Sequence, residues 1–200
     1  MVLEFITRPI SKAAYELLRT IGIFVYRLAG WRFATWDGGE RKMVVIAAPH
    51  TSNWDLPLML ACAVYYRVPL KWMGKHTLFK PPWTGFMNWL GGIPIDRTKN
   101  NDVVAQMIEV YDAADALAVA IPPEGTRAKV RYWKSGFYNI AHGAGVPIAL
   151  GFLDYKNKRG GIGGMLATTG DYDADLEKIK AFYAPITPKH QRNEEGQRLR

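Results

Sequence analysis

Short apolar runs alternate with segments of helical periodicity over most of this chain, and this alternation restricts its fold more than any other feature. The apolar runs, which favour strands, cover residues 43–48, 70–73, 117–121 and 146–153. Between them, apolar side chains recur at helical spacing in the segments 55–66, 104–114 and 135–144. The sequence therefore predicts an α/β fold, a single domain with a central, mostly parallel mixed sheet flanked by helices.

The two ends of the chain carry different patterns. Residues 11–29 place apolar side chains along one side of a helix and basic side chains largely elsewhere, which predicts an N-terminal amphipathic helix. This helix either packs on the domain or lies in a membrane interface, and its own pattern favours packing. Towards the C-terminus we predict a loop at residues 160–164, an edge strand at 166–169 and a helix at 174–182.

The 200 residues divide accordingly into three parts. Residues 1–37 hold the amphipathic helix, residues 38–188 form the main domain, and residues 189–200 are a solvated, charged tail. A chain of this length is sufficient for one domain with its own hydrophobic core, so we expect one principal site.

The composition narrows the classes of partner. Lys and Arg number 26 against 18 Asp and Glu, a net charge of +8, which suits nucleic acid, anionic lipid or a phosphorylated substrate. The excess is spread out, without the Lys/Arg block of a nucleic-acid arm, which argues against nucleic acid. Cys62 is the only cysteine and lies in an apolar run, so we expect a buried, inert thiol and neither a disulfide nor a multi-cysteine zinc site.

Membrane-related signals are mixed. The N-terminus lacks the pattern of a secretory signal peptide, and no apolar run is long enough to span a bilayer, so neither feature is expected. The chain nonetheless holds 7 Trp, 10 Tyr and 8 Phe, and this number of aromatic residues suits either a large core or a boundary between water and an apolar phase.

A histidine directly follows the first of the apolar runs. His50 comes at its end, and Asp55 stands five residues further on, where a helix begins. Residues five apart on one helix point about 140° apart, so His50 has to lie in the loop and Asp55 in the first helical turn, with Ser52 or Asn53 as the helix cap. A carboxylate placed in this way holds an imidazole in one tautomer, and the other ring nitrogen can take a proton from a hydroxyl. The alternative is a histidine with a capping or core role.

Charged residues follow two other apolar stretches, at Glu124 and at Arg97. Because ligands of such sheets collect at the carboxyl ends of the strands, we expect these two segments and that of His50 to converge there. Residues 124–127 combine a carboxylate, a flexible turn, a hydroxyl and a guanidinium, a set that can cradle and charge-pair a phosphate. Arg97 supplies a second guanidinium. Each segment, taken alone, is equally compatible with an ordinary salt bridge in a loop.

Other kinds of site have less support. The chain has no G-x-S-x-G nucleophile elbow, Walker loop or G-x-G-x-x-G motif. His76, His142 and His190 lack the paired spacing of metal ligands, so we expect surface or capping roles for them and no metal site.

Four short blocks resemble the motifs of the glycerophospholipid (1-acylglycerol-3-phosphate) acyltransferase family. HTSNWD at residues 50–55 resembles its H-x4-D motif, and GIPIDR at residues 92–97 resembles its second block. PEGTR at residues 123–127 and VPI at residues 146–148 resemble the third and fourth blocks. Four blocks in the family's order are far more specific than any one of them.

The resemblance implies transfer of a fatty acyl group from acyl-CoA or acyl carrier protein to the free hydroxyl of lysophosphatidate. The product would be phosphatidate, in phospholipid biosynthesis, made without a cofactor and without an acyl-enzyme. Residues 38–188 would be the acyltransferase domain, with His50 as the general base and Asp55 orienting it. Two alternatives stay open: the same chemistry on another lysophospholipid or a lyso-aminolipid, and a non-catalytic basic module that binds acidic lipid. The residues implied to bind the acceptor are Lys75, Arg97, Glu124, Gly125, Thr126 and Arg127.

The chain also departs from the family's pattern. His76 and Thr77 stand where a charged pair is expected, and Ile121 with Pro122 replaces an aromatic residue. The N-terminal amphipathic segment is shorter than the anchor of many relatives. Because an enzyme of this family must reach substrates in a bilayer, the resemblance favours the amphipathic helix as a peripheral or monotopic contact with anionic lipid, on the cytoplasmic face of the cell membrane.

Overall fold

The computed structural model describes residues 12–95, 103–125 and 132–190, and its centre is one sheet. The strands found in these residues are β1 (Arg32–Phe33), β2 (Lys42–Ala47), β3 (Leu70–Lys75), β4 (Gly92–Ile95), β5 (Leu117–Ile121), β6 (Ile148–Asp154) and β7 (Arg159–Leu166). Their order across the sheet is β1-β7-β6-β2-β5-β3-β4. Every neighbouring pair is parallel except β6 and β7, so the prediction of a mostly parallel mixed sheet is confirmed.

Helices cover both faces of the sheet. Those of the described residues are α1 (Lys12–Leu28), α2 (Asp55–Tyr66), α3 (Thr84–Trp89), α4 (Val103–Ala113), α5 (Gly136–Gly143) and α6 (Tyr172–Tyr183), with a 3-10 turn at His76–Phe79. Apolar residues of β2 alternate between the faces: Val44 packs with α4, α5 and α6, whereas Val45 packs with α2 and the 3-10 turn. Each predicted helix is present to within two residues, and the short α3 and β1 were not predicted.

The glycine-rich segment near the C-terminus corrects the sequence prediction. Residues 160–164, predicted as a loop, form most of β7, and the predicted edge strand at 166–169 lies at and beyond its last residue. The glycines are needed because aromatic side chains approach the strand closely. A Cβ on Gly160 would lie 2.7 Å from the hydroxyl of Tyr26, and one on Gly163 would lie 2.5 Å from the ring of Phe182. The run therefore indicates tight packing and not a turn.

The start of α2 also differs in detail from the prediction. Trp54, and not Ser52 or Asn53, flanks the helix, and it makes no side-chain capping bond. Ser52 Oγ instead accepts a hydrogen bond from the Trp54 N–H at 3.2 Å.

Helix α1 packs on α2 with only part of its surface. Tyr26 is buried and stacks on Phe33, and Arg67 after α2 pairs with Glu16 at 2.6 Å. The apolar side chains on the outer surface of α1 stay exposed; they are Leu17, Leu18, Ile21, Phe24, Val25 and Leu28. Across the described residues, the structure has no helix with the length and apolar character needed to cross a bilayer.

Candidate active site

Four neighbouring strands end at the same edge of the sheet and carry the site residues there. Tyr155 follows β6, His50 follows β2, Glu124 follows β5, and Lys75 is the last residue of β3. Parallel sheets bind their ligands at this edge, outside the carboxyl ends of the strands. The predicted convergence of the His50 and Glu124 segments is therefore present in the structure.

His50 and Asp55 form the centre of the site. His50 lies in the loop after β2, and Asp55 is the first residue of α2, as their spacing requires. The imidazole Nδ1 lies 3.0 Å from Asp55 Oδ2. An ionised carboxylate can only accept, so Nδ1 carries the hydrogen of a neutral imidazole and Nε2 keeps a free lone pair. This arrangement leaves one ring nitrogen able to accept a proton.

The carboxylate of Asp55 is held by a set of donors. The backbone N–H groups of Thr51 and Ser52 both donate to Oδ2 at 2.9 Å, and the hydroxyl of Tyr155 donates to Oδ1 at 2.6 Å. Burial raises the pKa of Asp55, but the hydrogen bonds from His50, Tyr155 and the Ser52 N–H lower it, and the net pKa lies below its usual value. Asp55 is therefore ionised at neutral pH and can stabilise a protonated His50.

Glu124 and Gly125 lie beside the histidine. Glu124 Oε2 accepts a hydrogen bond from the backbone N–H of His50 at 3.0 Å, so this carboxylate fixes the loop that carries the imidazole. Gly125 has a φ of +64°, and a Cβ there would lie 3.2 Å from Cε of Lys134. Lys134 thus places a basic side chain next to this turn. Sequence reasoning missed it, although it lies between β5 and α5 in the sequence.

Of the remaining predicted acceptor-binding residues, the structure describes only Lys75. Lys75 is exposed at the end of β3 and lines the same cavity as His50. Arg97, Thr126 and Arg127 lie outside the described residues. Their proposed contact with a phosphate is thus a prediction that rests on the sequence.

An apolar cavity adjoins the His50–Asp55 pair. Its volume is about 550 Å³, and it extends between α2 and the sheet. The polar side chains of its lining include His50, Asn53, Asp55, Tyr66 and Lys75. Apolar side chains make up most of the remaining wall, among them Leu56, Met59, Leu70, Trp72, Leu78 and Met87. The cavity can accept a hydrophobic ligand whose reactive end meets the imidazole.

The segment after α6 closes over the loop that carries His50. Tyr155 N–H donates to Thr187 O at 2.9 Å, and His190 N–H donates to Thr51 Oγ1 at 3.3 Å. The ammonium of Lys189 lies 5.1 Å from the ring centre of Trp54. Residues 189 and 190, predicted as the start of a solvated tail, therefore contact the site, and residues 191–200 lie outside the described part of the chain.

Tyr155 is the main residue that sequence reasoning missed. Its position directly after a predicted strand was the available signal, because that places it at the ligand-binding edge of the sheet. Nothing in the local sequence shows that its hydroxyl reaches Asp55, which lies 100 residues earlier. Burial, followed by the neighbouring carboxylate, raises the pKa of Tyr155 far above its usual value, so the phenol stays protonated and donates.

Tyr155→Phe is expected to lower the free energy of unfolding by about 1.5–3 kcal/mol near neutral pH, the usual contribution of a hydrogen bond to a charged group. Since the folded pKa of Asp55 is depressed, this stabilisation is present above the unfolded pKa and is lost as the pH falls through the folded pKa. Urea unfolding at a series of pH values, for both proteins, measures the difference and its expected disappearance in acid.

Tyr66→Phe is the matched control for this measurement. The Tyr66 hydroxyl donates to the neutral carbonyl of Ala34, also at 2.6 Å. Because neither group ionises near neutral pH or in acid, removal of this hydroxyl should lower the free energy of unfolding by an amount that does not change with pH. If the decrease in the free energy of unfolding of Tyr155→Phe did not depend on pH, this would contradict the hydrogen bond between the hydroxyl and an ionised carboxylate.

Two further observations concern His142 and the residue types that can bind a metal. His142 Nδ1 lies 3.0 Å from Thr168 Oγ1 at the end of α5, away from the cavity. Within the described ranges, no cluster of three or more His, Cys, Asp or Glu residues is placed to hold a metal ion.

Comparison with known proteins gives a family and a fold. A family model described as acyltransferase matches residues 34–149, more than half of the chain. The crystal structure of the 1-acyl-sn-glycerophosphate (LPA) acyltransferase PlsC from Thermotoga maritima is similar, with a TM-score of 0.58 and 17% sequence identity. The match covers 92% of this chain and 83% of that chain, and at this identity it establishes the fold. No curated protein gave a significant match.

Proposed function

Because the chain belongs to the acyltransferase family, we propose that it transfers a fatty acyl group from acyl-CoA or acyl carrier protein to the free hydroxyl of lysophosphatidate, giving phosphatidate in phospholipid biosynthesis. The observation that carries the proposal is an imidazole, held by an ionised carboxylate, at an apolar cavity of about 550 Å³. This reaction requires both a general base and a hydrophobic binding space.

The reaction uses His50 as the general base. Nε2 takes the proton of the acceptor hydroxyl while its oxygen attacks the thioester carbonyl, and Asp55 stabilises the resulting imidazolium. The new carbon–oxygen bond forms, the carbon–sulfur bond breaks, and the imidazolium returns its proton to the leaving thiolate. No cofactor takes part in these steps.

A direct transfer is supported by the state of the only cysteine. Cys62 is 7% exposed, and burial raises the pKa of its thiol to about 12, so the thiol stays protonated and unreactive. The sequence also lacks the G-x-S-x-G elbow that would present a nucleophilic serine. The acyl group therefore passes to the acceptor without a covalent intermediate on the protein.

The apolar cavity holds the fatty acyl chain in this proposal. Its wall is mainly aliphatic and aromatic, and His50 belongs to the same lining. A chain lying beneath α2 would bring its thioester to the imidazole. The binding free energy of the chain then comes from burial of its methylene groups, about 0.8 kcal/mol for each one.

The acceptor's phosphate is assigned to the basic side of the site. Lys75 lines the cavity, and the sequence supplies Arg97, Thr126 and Arg127 in the neighbouring segments. Glu124 and Gly125 shape the turn beside His50. Paired cations recognise a phosphate through charge-assisted hydrogen bonds, which a neutral headgroup cannot form.

Arg127→Ala tests whether the acceptor carries a phosphate that this arginine binds. The variant is expected to raise KM for lysophosphatidate about tenfold or more, the usual scale for losing a hydrogen bond to a charged group, and to change turnover of lysolipids without a phosphate little. Thiol release from acyl-CoA, measured with a panel of lysolipid acceptors, gives both numbers. Lys180→Ala on α6, outside the cavity, is the control. Unchanged use of lysophosphatidate by Arg127→Ala would contradict the assignment, and preference for another lysolipid would identify a different acceptor.

The proposal includes a peripheral or monotopic contact with an anionic membrane surface, on the cytoplasmic face of the cell membrane. The outer side of α1 presents exposed apolar side chains, including Phe24 at 63% and Leu28 at 75%. Arg27 and Arg32 are exposed near the end of the helix. An apolar face bordered by basic side chains suits the headgroup region of such a membrane.

A further inference from the structure

Aromatic side chains are exposed on the short helix α3 and the turn before it. Leu78, Trp83, Phe86 and Trp89 are 48%, 60%, 49% and 50% exposed, and together they form what we call the aromatic patch. The rings of Trp83 and Phe86 have centroids 6.4 Å apart, and those of Phe86 and Trp89 are 6.0 Å apart. None of the six residues of α3, all of them described, is buried. The three rings thus form one apolar surface that faces solvent, and Leu78 is exposed on the 3-10 turn that precedes them.

Specific contacts hold this patch in position. Thr84 Oγ1 donates to Phe79 O at 2.6 Å, which ties the start of α3 to the 3-10 turn. The indole N–H of Trp72 donates to Leu90 O at 3.0 Å, which ties the end of α3 to β3. Met87 points inwards and packs with the core. The exposed rings are therefore presented by a fixed helix.

All charged side chains in the sequence around the patch are basic. Residues 56–95 contain four basic residues and no Asp or Glu. Lys75 and Lys80, which flank the 3-10 turn, are both exposed. A surface of this sign is complementary to anionic lipid, and each Lys or Arg near the membrane strengthens the binding several-fold.

The patch lies on the same face of the sheet as the cavity and α1. Helix α2, the 3-10 turn and α3 pack against one half of the core, with Met59, Phe79 and Met87 as contacts. Helix α1 packs on α2, whereas α4, α5 and α6 cover the opposite face. Leu78, a member of the patch, also lines the cavity that holds His50. Lipid touching the patch would therefore border the cavity.

We propose that the aromatic patch is a second membrane-contact surface, which inserts into the interfacial layer of an anionic bilayer beside the entrance of the cavity. Tryptophan prefers this layer because its ring is apolar and its N–H finds water or headgroups, and Phe86 and Leu78 add apolar area. The basic segment supplies the attraction to anionic headgroups. The proposal goes beyond the transfer reaction, since membrane contact can be measured without turnover.

The test is vesicle binding by the full chain. Vesicles of phosphatidylcholine with about 30 mol % phosphatidylglycerol provide the anionic surface. The triple variant Trp83→Ser, Phe86→Ser and Trp89→Ser is expected to bind them at least about tenfold more weakly, because binding scales with inserted apolar area. Lys80→Glu should weaken binding about fivefold or more, and Lys180→Glu on α6, with the same change of charge on the opposite face, by less than about twofold.

Insertion itself has a separate readout. Lipids brominated in the acyl chains quench tryptophan fluorescence on contact. The double variant Trp83→Phe and Trp89→Phe keeps the apolar surface, so it should still bind the vesicles but lose most of the quenching seen in the wild type. Circular dichroism and thermal melting of each variant establish that the fold is kept, which is expected because the replaced rings are half exposed.

Different results would overturn the proposal, or would support it and contradict only the proposed reaction. Wild-type binding by the triple variant, or unchanged quenching in the double variant, would exclude contact of these rings with lipid. A wild-type dimer that the triple variant converts to a monomer, with vesicle binding unaffected, would assign the patch to a second copy of the chain. Patch-dependent vesicle binding by a protein without thiol release would support this surface and contradict only the proposed reaction.

Discussion

His50→Ala is expected to reduce thiol release from acyl-CoA, in the presence of a lysolipid acceptor, by about 100-fold or more, the usual scale for losing a general base. The loss follows because no other described group in the cavity lining combines a free ring nitrogen with a bond to an ionised carboxylate. The decrease should appear in kcat, since the apolar wall proposed to bind the acyl chain is unchanged. Steady-state thioester assays of both proteins measure it.

His142→Ala is the matched control for this loss. His142 also has a ring nitrogen 3.0 Å from a side-chain oxygen, that of Thr168, but it does not line the cavity. Its replacement should change kcat by less than about twofold. Equal thiol release by His50→Ala and the wild type would contradict the general-base role. Absence of thiol release from both proteins, with lipid binding kept, would favour a basic module that binds acidic lipid without chemistry.

Much of the fold could be predicted because its signals are local. Helical spacing and short apolar runs depend on residues close in sequence, so the segments at 43–48 and 117–121 coincide with β2 and β5 to within one residue. Alternation of strands and helices then restricts the connections between them. The position of His50 at the end of a parallel strand followed from the same information.

The features that the sequence did not predict depend on contacts between residues far apart in the chain. The glycines of β7 were predicted to form a loop because their role is not visible in the local sequence. They leave space for the side chains of Tyr26 and Phe182, which belong to α1 and α6. Tyr155 reaches Asp55 only because β6 and β2 are neighbours, and sequence periodicity does not give the order of strands. Glu124 was placed correctly beside the site, but its bond to the His50 N–H is a matter of side-chain geometry.

Asp55→Asn is expected to lower kcat about 100-fold or more, through loss of charge and with little change in geometry. The N–H groups of Thr51 and Ser52 both point at Oδ2, so the carbonyl oxygen of an asparagine must occupy that position. It would still accept from His50 Nδ1, and the amide nitrogen would face the hydroxyl oxygen of Tyr155, which can accept. The imidazole thus keeps its tautomer, but the imidazolium formed in the reaction loses the negative charge that stabilises it.

A second buried carboxylate separates this effect from a loss of stability. Asp175 is fully buried, accepts hydrogen bonds from Thr169, Tyr138 and Lys178, and does not line the cavity. Asp175→Asn should therefore destabilise the fold with less than about a twofold change in kcat, whereas Asp55→Asn should lower kcat and leave KM for acyl-CoA nearly unchanged. Wild-type kcat in a folded Asp55→Asn would show that the negative charge beside His50 is not needed for the transfer. An increase in KM alone would instead assign Asp55 to substrate binding, because only interactions stronger in the transition state than in the ground state raise kcat.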